Sequence, residues 1–366
     1  MKKFYWLIIF SVILCTTSVY AFNLKFWTWG KNPDITENVG ERELLENKAD
    51  FEIIPTMDTE SNSKNTVWVG TFQLIWNDLT DELIKHPVEF VGGKSSVADK
   101  LNKKSFTADD LLESSYYKKW GLVSRNLKTE IEKGIKEKFN ETSDILNNLD
   151  WTPAPEKYLL YAMLKKDFEY IRPFDKLPEG YFNGSEGKVK YFGINKHSKS
   201  YLRDTVTVLF YNGKDDYALL LKSKQGDNVY LYRTDDEKTL NLLYDDMIKK
   251  SKTYKGDKYF SEVDEFKAPN IDFKKERRFP ELCNKQIKNT NFMISDAIET
   301  VQFKMDEVGV KLKSEAAIIL GATCCPPPRI EPRYFYFDSR YVIFLQEKSK
   351  PYFAMKIEDA KAVQGK

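Results

Sequence analysis

The chain has 366 residues, of which 42% are hydrophobic and 31% are charged. Its 57 Lys and Arg residues against 55 Asp and Glu residues leave a net charge of +2, which excludes a strongly basic nucleic-acid binder and an acidic disordered tail. The apolar fraction is sufficient for a folded core, in one large domain or two modest ones. Because the chain has only two His and four Cys, we expect no dedicated metal site and no cofactor.

The N-terminus has the pattern of a secretory signal peptide. Lys2 and Lys3 precede an apolar run at residues 4–14, and the small Ala21 is typical of a cleavage site. This run is shorter than a bilayer span requires, and no other stretch approaches one, so we expect no membrane-spanning segment. The sequence therefore predicts that residues 1–21 are removed and that the protein is secreted or lies in the cell envelope.

The mature chain is expected to be a single domain, residues 22–366. A lipid anchor at Cys15 is the alternative to cleavage, but the bulky residue before it disfavours that reading. Three cysteines stay in the mature chain, Cys283, Cys324 and Cys325, and two adjacent cysteines rarely pair with each other. At most Cys283 forms a disulfide with one of the other two; we favour free thiols.

The hydrophobic pattern divides the chain into a helical part and a strand-rich part. Apolar residues at helical spacing predict a helix over residues 71–84 and a longer helical region over residues 109–149, with a break at 140–144. Pro153 and Pro155 end this region.

Beyond these prolines the sequence is typical of β-structure. A short amphipathic helix is predicted at residues 240–248. The predicted strands cover residues 158–164, 189–192, 205–211, 218–221, 229–232, 267–273, 301–305, 334–337, 341–345 and 352–357. Helices followed by large, mostly antiparallel sheets predict an α+β fold.

The C-terminal region contains an unusual connection between two predicted strands. Residues 301–305 are followed by a turn-like segment, then by small residues around Ala316, and then by residues 321–333, which contain four prolines. The chain ends in strands rich in aromatic residues. This order predicts a long exposed connection that begins with small residues.

These features, taken in order, resemble the serpin family over residues 155–359. The resemblance lies in a series of short motifs, each weak alone, whose order along the chain matches. They are Arg172-Pro173-Phe174-Asp175, Leu209-Phe210-Tyr211-Asn212-Gly213 with Leu219-Leu220-Leu221, Phe266-Lys267-Ala268-Pro269, Asp306-Glu307-Val308-Gly309, Ser314-Glu315-Ala316-Ala317 and Phe337-Asp338-Ser339-Arg340-Tyr341.

The resemblance implies a protease inhibitor, not an enzyme. Serpins present an exposed loop to a protease, and the cleaved loop enters the main sheet as a new strand. By this resemblance residues 307–320 are the hinge and residues 321–333 the bait loop, with an exposed reactive-centre-like bond at Arg329–Ile330. The hinge residues so implied are Glu307, Gly309, Ser314, Glu315, Ala316 and Ala317.

An arginine at the cleaved bond suits a trypsin-like serine protease, whose primary pocket is acidic. Pro328 stands just before this arginine, and some such proteases tolerate a proline there. Counting from Ser314 instead moves the bond one or two residues towards the N-terminus. Cys324 and Cys325 are therefore also candidate bait residues. The partner implied is a target protease, with a monomeric inhibitor and no nucleic acid.

Several residues depart from an efficient serpin hinge. Residues 318–320 are Ile, Ile and Leu, and each large side chain needs a cavity in the sheet that receives it. Residues 326–328 are prolines, which cannot donate to a central ladder. A non-inhibitory secreted protein on the same fold, acting as a binding or structural module, is therefore the alternative.

Two further readings are less favoured. An enzyme would need Cys283 or Cys324 to act with His86 or His197, and neither histidine stands in a recognisable catalytic context. The basic stretches near residues 249–252 and 274–278 could bind a polyanion, but a solvated charged face is the better explanation in a nearly neutral chain.

Overall fold

The structure is a computed structural model that describes residues 50–155, 157–310 and 331–365. All of these lie in one compact unit, Asn47–Lys366. The predicted signal peptide lies outside the described residues. Among the helices of the described part, none is both long enough and apolar enough to cross a membrane.

The described residues form four α-helices among a larger number of strands. In chain order these are β1 (Phe51–Ile53), β2 (Asn65–Val69), α1 (Thr71–Asp78), α2 (Ser96–Leu101), β3 (Tyr116–Leu122), α3 (Arg125–Phe139), β4 (Tyr158–Leu164), β5 (Phe168–Glu169), β6 (Asp175–Tyr181), β7 (Lys188–Ile194), β8 (Val206–Tyr211), β9 (Tyr217–Lys222), β10 (Asn228–Arg233), α4 (Leu240–Thr253), β11 (Glu265–Pro269), β12 (Ile271–Arg278), β13 (Ile298–Met305), β14 (Gly309–Val310), β15 (Tyr334–Tyr336), β16 (Tyr341–Gln346) and β17 (Pro351–Ile357).

A seven-stranded sheet forms the centre of the fold, in the order β1-β2-β17-β16-β10-β9-β8. Its pairs are antiparallel except β1 and β2, which are parallel. β16 and β17 lie in the middle and are buried on both faces, which explains their nearly continuous aromatic and β-branched sequence. The main hydrophobic core is built around this sheet.

A second sheet of four strands has the order β15-β11-β7-β6. Gly193 of β7 has φ +155, and a Cβ atom built there would lie 1.9 Å from the carbonyl oxygen of Phe266 on β11. Only glycine allows this close approach between the two backbones. β11 also pairs with β15, in the parallel sense, and so connects the strand that follows residue 330 to the body of the protein.

Two antiparallel ribbons complete the β-structure that is relevant to function. β3 pairs with β4, and β12 pairs with β13. Along β4, Leu160, Ala162 and Leu164 pack against the main core, whereas Tyr161 lies in a second core under α3. The period-two alternation of a strand thus lets β4 contribute to two cores on its opposite faces.

The predicted α+β class is confirmed, and most of the predicted strands are present. The helix predicted over residues 71–84 is α1, continued by a π-helical turn at Leu79–Leu83. The helical prediction for residues 109–149 is wrong over β3, Tyr116–Leu122, because that segment is held in an extended conformation by pairing with β4. Ser124 then begins α3 by accepting the Leu127 N–H, and Asn140 ends it in the left-handed region.

The remaining differences concern strands in short or polar segments. The single strand predicted over residues 267–273 is two strands, β11 and β12, separated at Asn270. β1, β2 and β6 were not predicted, and β1 and β2 add strands to the N-terminal third that was expected to be helical. They form because the seven-stranded sheet and β7 supply partners that no local pattern indicates.

Candidate functional site

The candidate site is a gap in backbone pairing between β4 and β13. Among the described residues β4 pairs only with β3, and β13 pairs only with β12. Each therefore has one edge of backbone N–H and C=O groups without a strand partner in the described part of the chain. We call the gap between these two edges, from Tyr158–Leu164 to Ile298–Met305, the slot.

The two strands that border the slot are connected at both ends. β5 follows β4 closely, β14 follows β13 closely, and these two short strands pair antiparallel, with Gly309 opposite Glu169. Both long strands therefore run towards the β5–β14 pair. At the opposite end, the ring of Tyr158 at the start of β4 lies edge-on to Phe292, with 5.6 Å between centroids. The slot is thus a bounded feature and not a separation of two independent parts.

Helix α1 lies behind the slot. It packs against β3 and β4, and its first residue, Thr71, donates a hydrogen bond of 2.8 Å from Oγ1 to Oε1 of Glu299 on β13. Phe72, next in the helix, packs its ring at 4.4 Å from that of Phe279, just beyond β12. Hence α1 contacts both ribbons and connects the two sides of the slot.

The opposite face of the β3–β4 ribbon is covered by α3. Leu127, Ile131 and Ile135 of α3 form a small core with Tyr161 of β4. The segment that follows α3 reaches the other ribbon, where Asp144 and Lys274 of β12 form an ion pair of 2.8 Å. Both side chains are about half exposed, so this pair contributes at most about 1 kcal/mol.

The predicted hinge residues Glu307 and Gly309 lie at the closed end of the slot. The carbonyl oxygen of Glu307 accepts the N–H of Phe174 at 2.8 Å, and its carboxylate pairs with Lys176 at 3.1 Å. The Asp306 N–H donates to the carbonyl oxygen of Gly309, which closes a turn. The chain is therefore well fixed up to Val310; the role of these residues in a hinge stays a prediction.

We expect Gly309→Ala to destabilise the protein by about 1–3 kcal/mol in urea unfolding. Gly309 has φ +150, and an added Cβ would lie 2.4 Å from the carbonyl oxygen of Phe168, so β14 must move away from β5. Gly213, with φ +127 and open space around it, is the matched control, because Gly213→Ala imposes only the backbone strain. Equal losses in the two variants would show that the contact with Phe168 is unimportant.

The chain is fixed again at Arg333, the last residue of the predicted bait loop. Arg333 donates from its backbone N–H (2.9 Å), Nε (3.2 Å) and Nη2 (2.6 Å) to the carboxylate of Asp264, which is fully buried. Its Nη1 donates to the carbonyl oxygen of Asp257 at 2.7 Å. The residues between Val310 and Arg333 are thus attached to the body at both ends.

The other predicted site residues lie outside the described residues and stay predictions. These are Ser314, Glu315, Ala316, Ala317, Cys324, Cys325, Pro328, Arg329 and Ile330. The enzyme alternative gains no support from Cys283, whose thiol pKa burial raises to about 11, away from the thiolate that a nucleophile needs. Sequence reasoning missed Glu299 and Arg333 because a charged residue in a strand gives no local sign that it is buried.

Comparisons with known proteins give matches of fold only. No protein-family model matches the chain, and no curated protein does. Among solved structures, the chain is similar to a highly specific serpin of the insect Tenebrio molitor, at 11% identity and a TM-score of 0.45, over 79% of this chain and 95% of that one. It is also similar to thyroxine-binding globulin in complex with thyroxine, at 11% identity and a TM-score of 0.41, over 63% and 64% of the two chains.

Proposed function

We propose that this chain is a secreted, serpin-like inhibitor of a trypsin-like serine protease, and that residues 311–330 carry the bait bond and the strand that fills the slot. The observation that supports this most directly is the slot itself. Two strand edges face a gap, and the segment with the bait motif leaves the body at Val310, where the slot is closed. Secretion is inferred from the signal-peptide pattern of residues 1–21.

The chemistry follows the ordinary acyl-transfer steps of a serine protease. The protease serine attacks the carbonyl carbon of Arg329, an ester forms between Arg329 and that serine, and the bond to Ile330 breaks. The serine proton passes through the protease histidine to the new amino group of Ile330. The N-terminal part of the cut loop is then free to pair with β4 and β13 before water cleaves the ester.

The free energy for insertion would come from strand pairing at both edges of the slot. β4 has seven residues and β13 has eight, and each backbone hydrogen bond contributes about 0.5–1.5 kcal/mol net. A central strand pairs on both of its edges, so the gain is about twice that of an added edge strand. Against it act the large side chains of residues 318–320, which need room behind the sheet.

The function is tested by mixing the mature chain with trypsin. We expect an adduct that survives SDS, and after cleavage a rise in Tm of more than about 10 °C, which for a chain of this size corresponds to about 7 kcal/mol or more. Arg329→Ala should abolish the adduct. Arg329→Lys, which keeps a basic side chain for the acidic primary pocket, is the matched control and should retain the adduct.

Two outcomes would contradict this proposal. Cleavage near residue 329 with neither an adduct nor a rise in Tm would favour the non-inhibitory binding or structural module. An adduct that survives Arg329→Ala would place the bait bond elsewhere in the segment.

A further inference from the structure

Glu299 is the one inward-facing position of β13 that does not carry an apolar side chain. The strand alternates, and Val301, Phe303 and Met305 on the same face all lie in the main core. Glu299 is only 4% exposed. An ionisable side chain at such a position costs free energy unless it is fully paired, so it requires an explanation.

The hydrogen bonds of Glu299 connect β13 to the helix behind the slot, but they satisfy only half of the carboxyl group. Oε1 accepts the hydroxyl of Thr71, and the Phe72 N–H also donates to the carboxyl group, both at the N-terminus of α1. Oε2 is buried and has no hydrogen-bond partner among the described residues. The free oxygen makes the ionised form costly, because its negative charge has neither water nor a donor.

The charged group nearest to Glu299 is occupied by other carboxylates. Arg277 lies directly opposite on β12, but its guanidinium pairs with Glu52 of β1 at 3.1 Å and with Glu281 at 3.0 Å. It therefore attracts Glu299 from a distance without forming an ion pair with it. On α1, Thr71 and Phe72 are uncharged, and Asp78 at the other end of the helix is bound by Lys118.

We propose that Glu299 makes the opening of the slot depend on pH: the neutral carboxyl keeps β13 against α1, and the carboxylate favours their separation. This inference rests on the proposed function, in which the slot must widen to admit a strand. When β13 moves from α1, water reaches Oε2 and removes the cost of the charge. In the closed arrangement, protonation of Glu299 removes the same cost. The closed and open arrangements therefore differ in their affinity for one proton.

The direction and the pH window follow from the burial of the side chain. Burial raises the pKa of Glu299 from its ordinary 4.5 to about 7 in the closed arrangement, with the hydrogen bonds from Thr71 and Phe72 and the charge of Arg277 acting in the opposite sense. The closed form thus binds the proton more tightly than a hydrated open form. Opening therefore becomes more favourable as pH rises from about 5 to about 7, and it levels off above that range.

The test is hydrogen exchange at the Phe72 amide, which donates to the carboxyl group of Glu299, in the uncleaved full-length chain between pH 5.5 and pH 8.5. The exchange rate of the wild type is divided by that of Glu299→Gln at each pH, which cancels the intrinsic dependence of exchange on pH. We expect this ratio to rise about tenfold between pH 5.5 and pH 7.5 and then to level off. The glutamine stands for the neutral carboxyl group and should show no such rise of its own.

Two further variants keep the test decisive. Thr71→Val removes a hydrogen bond that favours the carboxylate, so we expect the rise to shift to higher pH even if Glu299→Gln folds poorly. Glu89→Gln changes an exposed carboxylate that pairs with Lys288, away from Arg277, and should leave the pH dependence unchanged. A flat ratio in the wild type, or a rise that Thr71→Val does not move, would overturn the proposal.

The outcome is separable from that of the proposed function. If the ratio rises with pH but cleavage by trypsin produces neither adduct nor increase in Tm, Glu299 controls the slot and strand insertion fails as an explanation. If cleavage raises Tm but the ratio is flat, insertion stands and Glu299 has only a structural role.

Discussion

Lys166→Met is expected to lower the free energy of unfolding by about 3–5 kcal/mol at pH 7, measured by urea denaturation. Lys166 follows β4, and its ammonium group is the shared counter-ion of two buried carboxylates, with Asp227 at 2.8 Å and Glu347 at 2.6 Å. These carboxylates are 3% and 6% exposed in their side chains. Methionine keeps most of the apolar stem but leaves both carboxylates without a counter-ion, so the loss of stability measures the effect of the lysine charge rather than of its packing.

The neighbouring lysine provides a matched control. Lys165 pairs with Glu141 and Asp167 at the surface, and its removal in Lys165→Met should cost no more than about 1 kcal/mol.

The dependence of the Lys166→Met loss on pH is a second check. Burial raises the pKa of Asp227 even with Lys166 present; without it, the folded state binds protons still more tightly than the unfolded chain. The deficit of Lys166→Met should therefore shrink as pH falls from 7 towards 4. Similar losses in both lysine variants, or a deficit independent of pH, would contradict this account.

The Lys166 cluster also indicates which side of the slot is fixed. Ser115, just before β3, donates to Glu347, and Tyr352 of β17 donates to Asp227. The β3–β4 ribbon is thus attached to the seven-stranded sheet by a buried polar network at the end nearest β5. The ion pair between Arg277 of β12 and Glu52 of β1 also attaches the second ribbon to that sheet, but at β13 itself the contacts are mainly between rings, such as Phe303 stacked on Phe353 at 4.4 Å. Apolar contacts of this kind are less directional, so we expect β13 to be the strand that moves if the slot widens.

How much of the fold is readable from sequence depends on whether a segment carries its own pattern. β16 and β17 were predictable because buried central strands have continuous apolar sequences, and α3 because Ser124 begins it and Ile131 and Ile135 lie on one face. β3 was not predictable from its own sequence, because YYKKWGL shows no clean alternation of apolar and polar residues. The segment is extended only because it pairs with β4. Local sequence does not contain that partner.

The candidate site was predictable only in outline. The motif around Gly309 was singled out by the resemblance, and it lies where the chain turns after β13; its role as a hinge stays a prediction. The slot was not predictable, since an absent strand pair leaves no trace in either strand's sequence. In the sequence, nothing distinguishes Glu299, Lys166 and Arg333 from ordinary surface charges. Their roles became visible only in the structure, where their side chains are largely buried.

Arg333→Ala is expected to lower the free energy of unfolding by about 3–5 kcal/mol and to loosen β15. The arginine donates repeatedly to Asp264, whose side chain is 0% exposed, while its own side chain is 15% exposed. The alanine variant leaves this carboxylate buried without a counter-ion, and its remaining donors among the described residues are the backbone N–H groups of Ser261 and of residue 333. Urea denaturation measures the loss, and limited proteolysis near residues 331–336 should become faster.

The cause is tested by adding a second change and by a surface control. If the unpaired charge of Asp264 accounts for the loss, Arg333→Ala combined with Asp264→Asn should recover about half of it, because the amide carries no charge and its oxygen still accepts one of the two backbone N–H groups. Arg278→Ala breaks a pair with Asp296 in which both side chains are about one-third exposed, and it should cost no more than about 1 kcal/mol. If Arg333→Ala costs no more than Arg278→Ala, the chain beyond the bait loop is held by the β11–β15 pairing alone. Detachment of β15 from the body would then depend on its backbone hydrogen bonds to β11 rather than on the buried ion pair of Arg333 with Asp264.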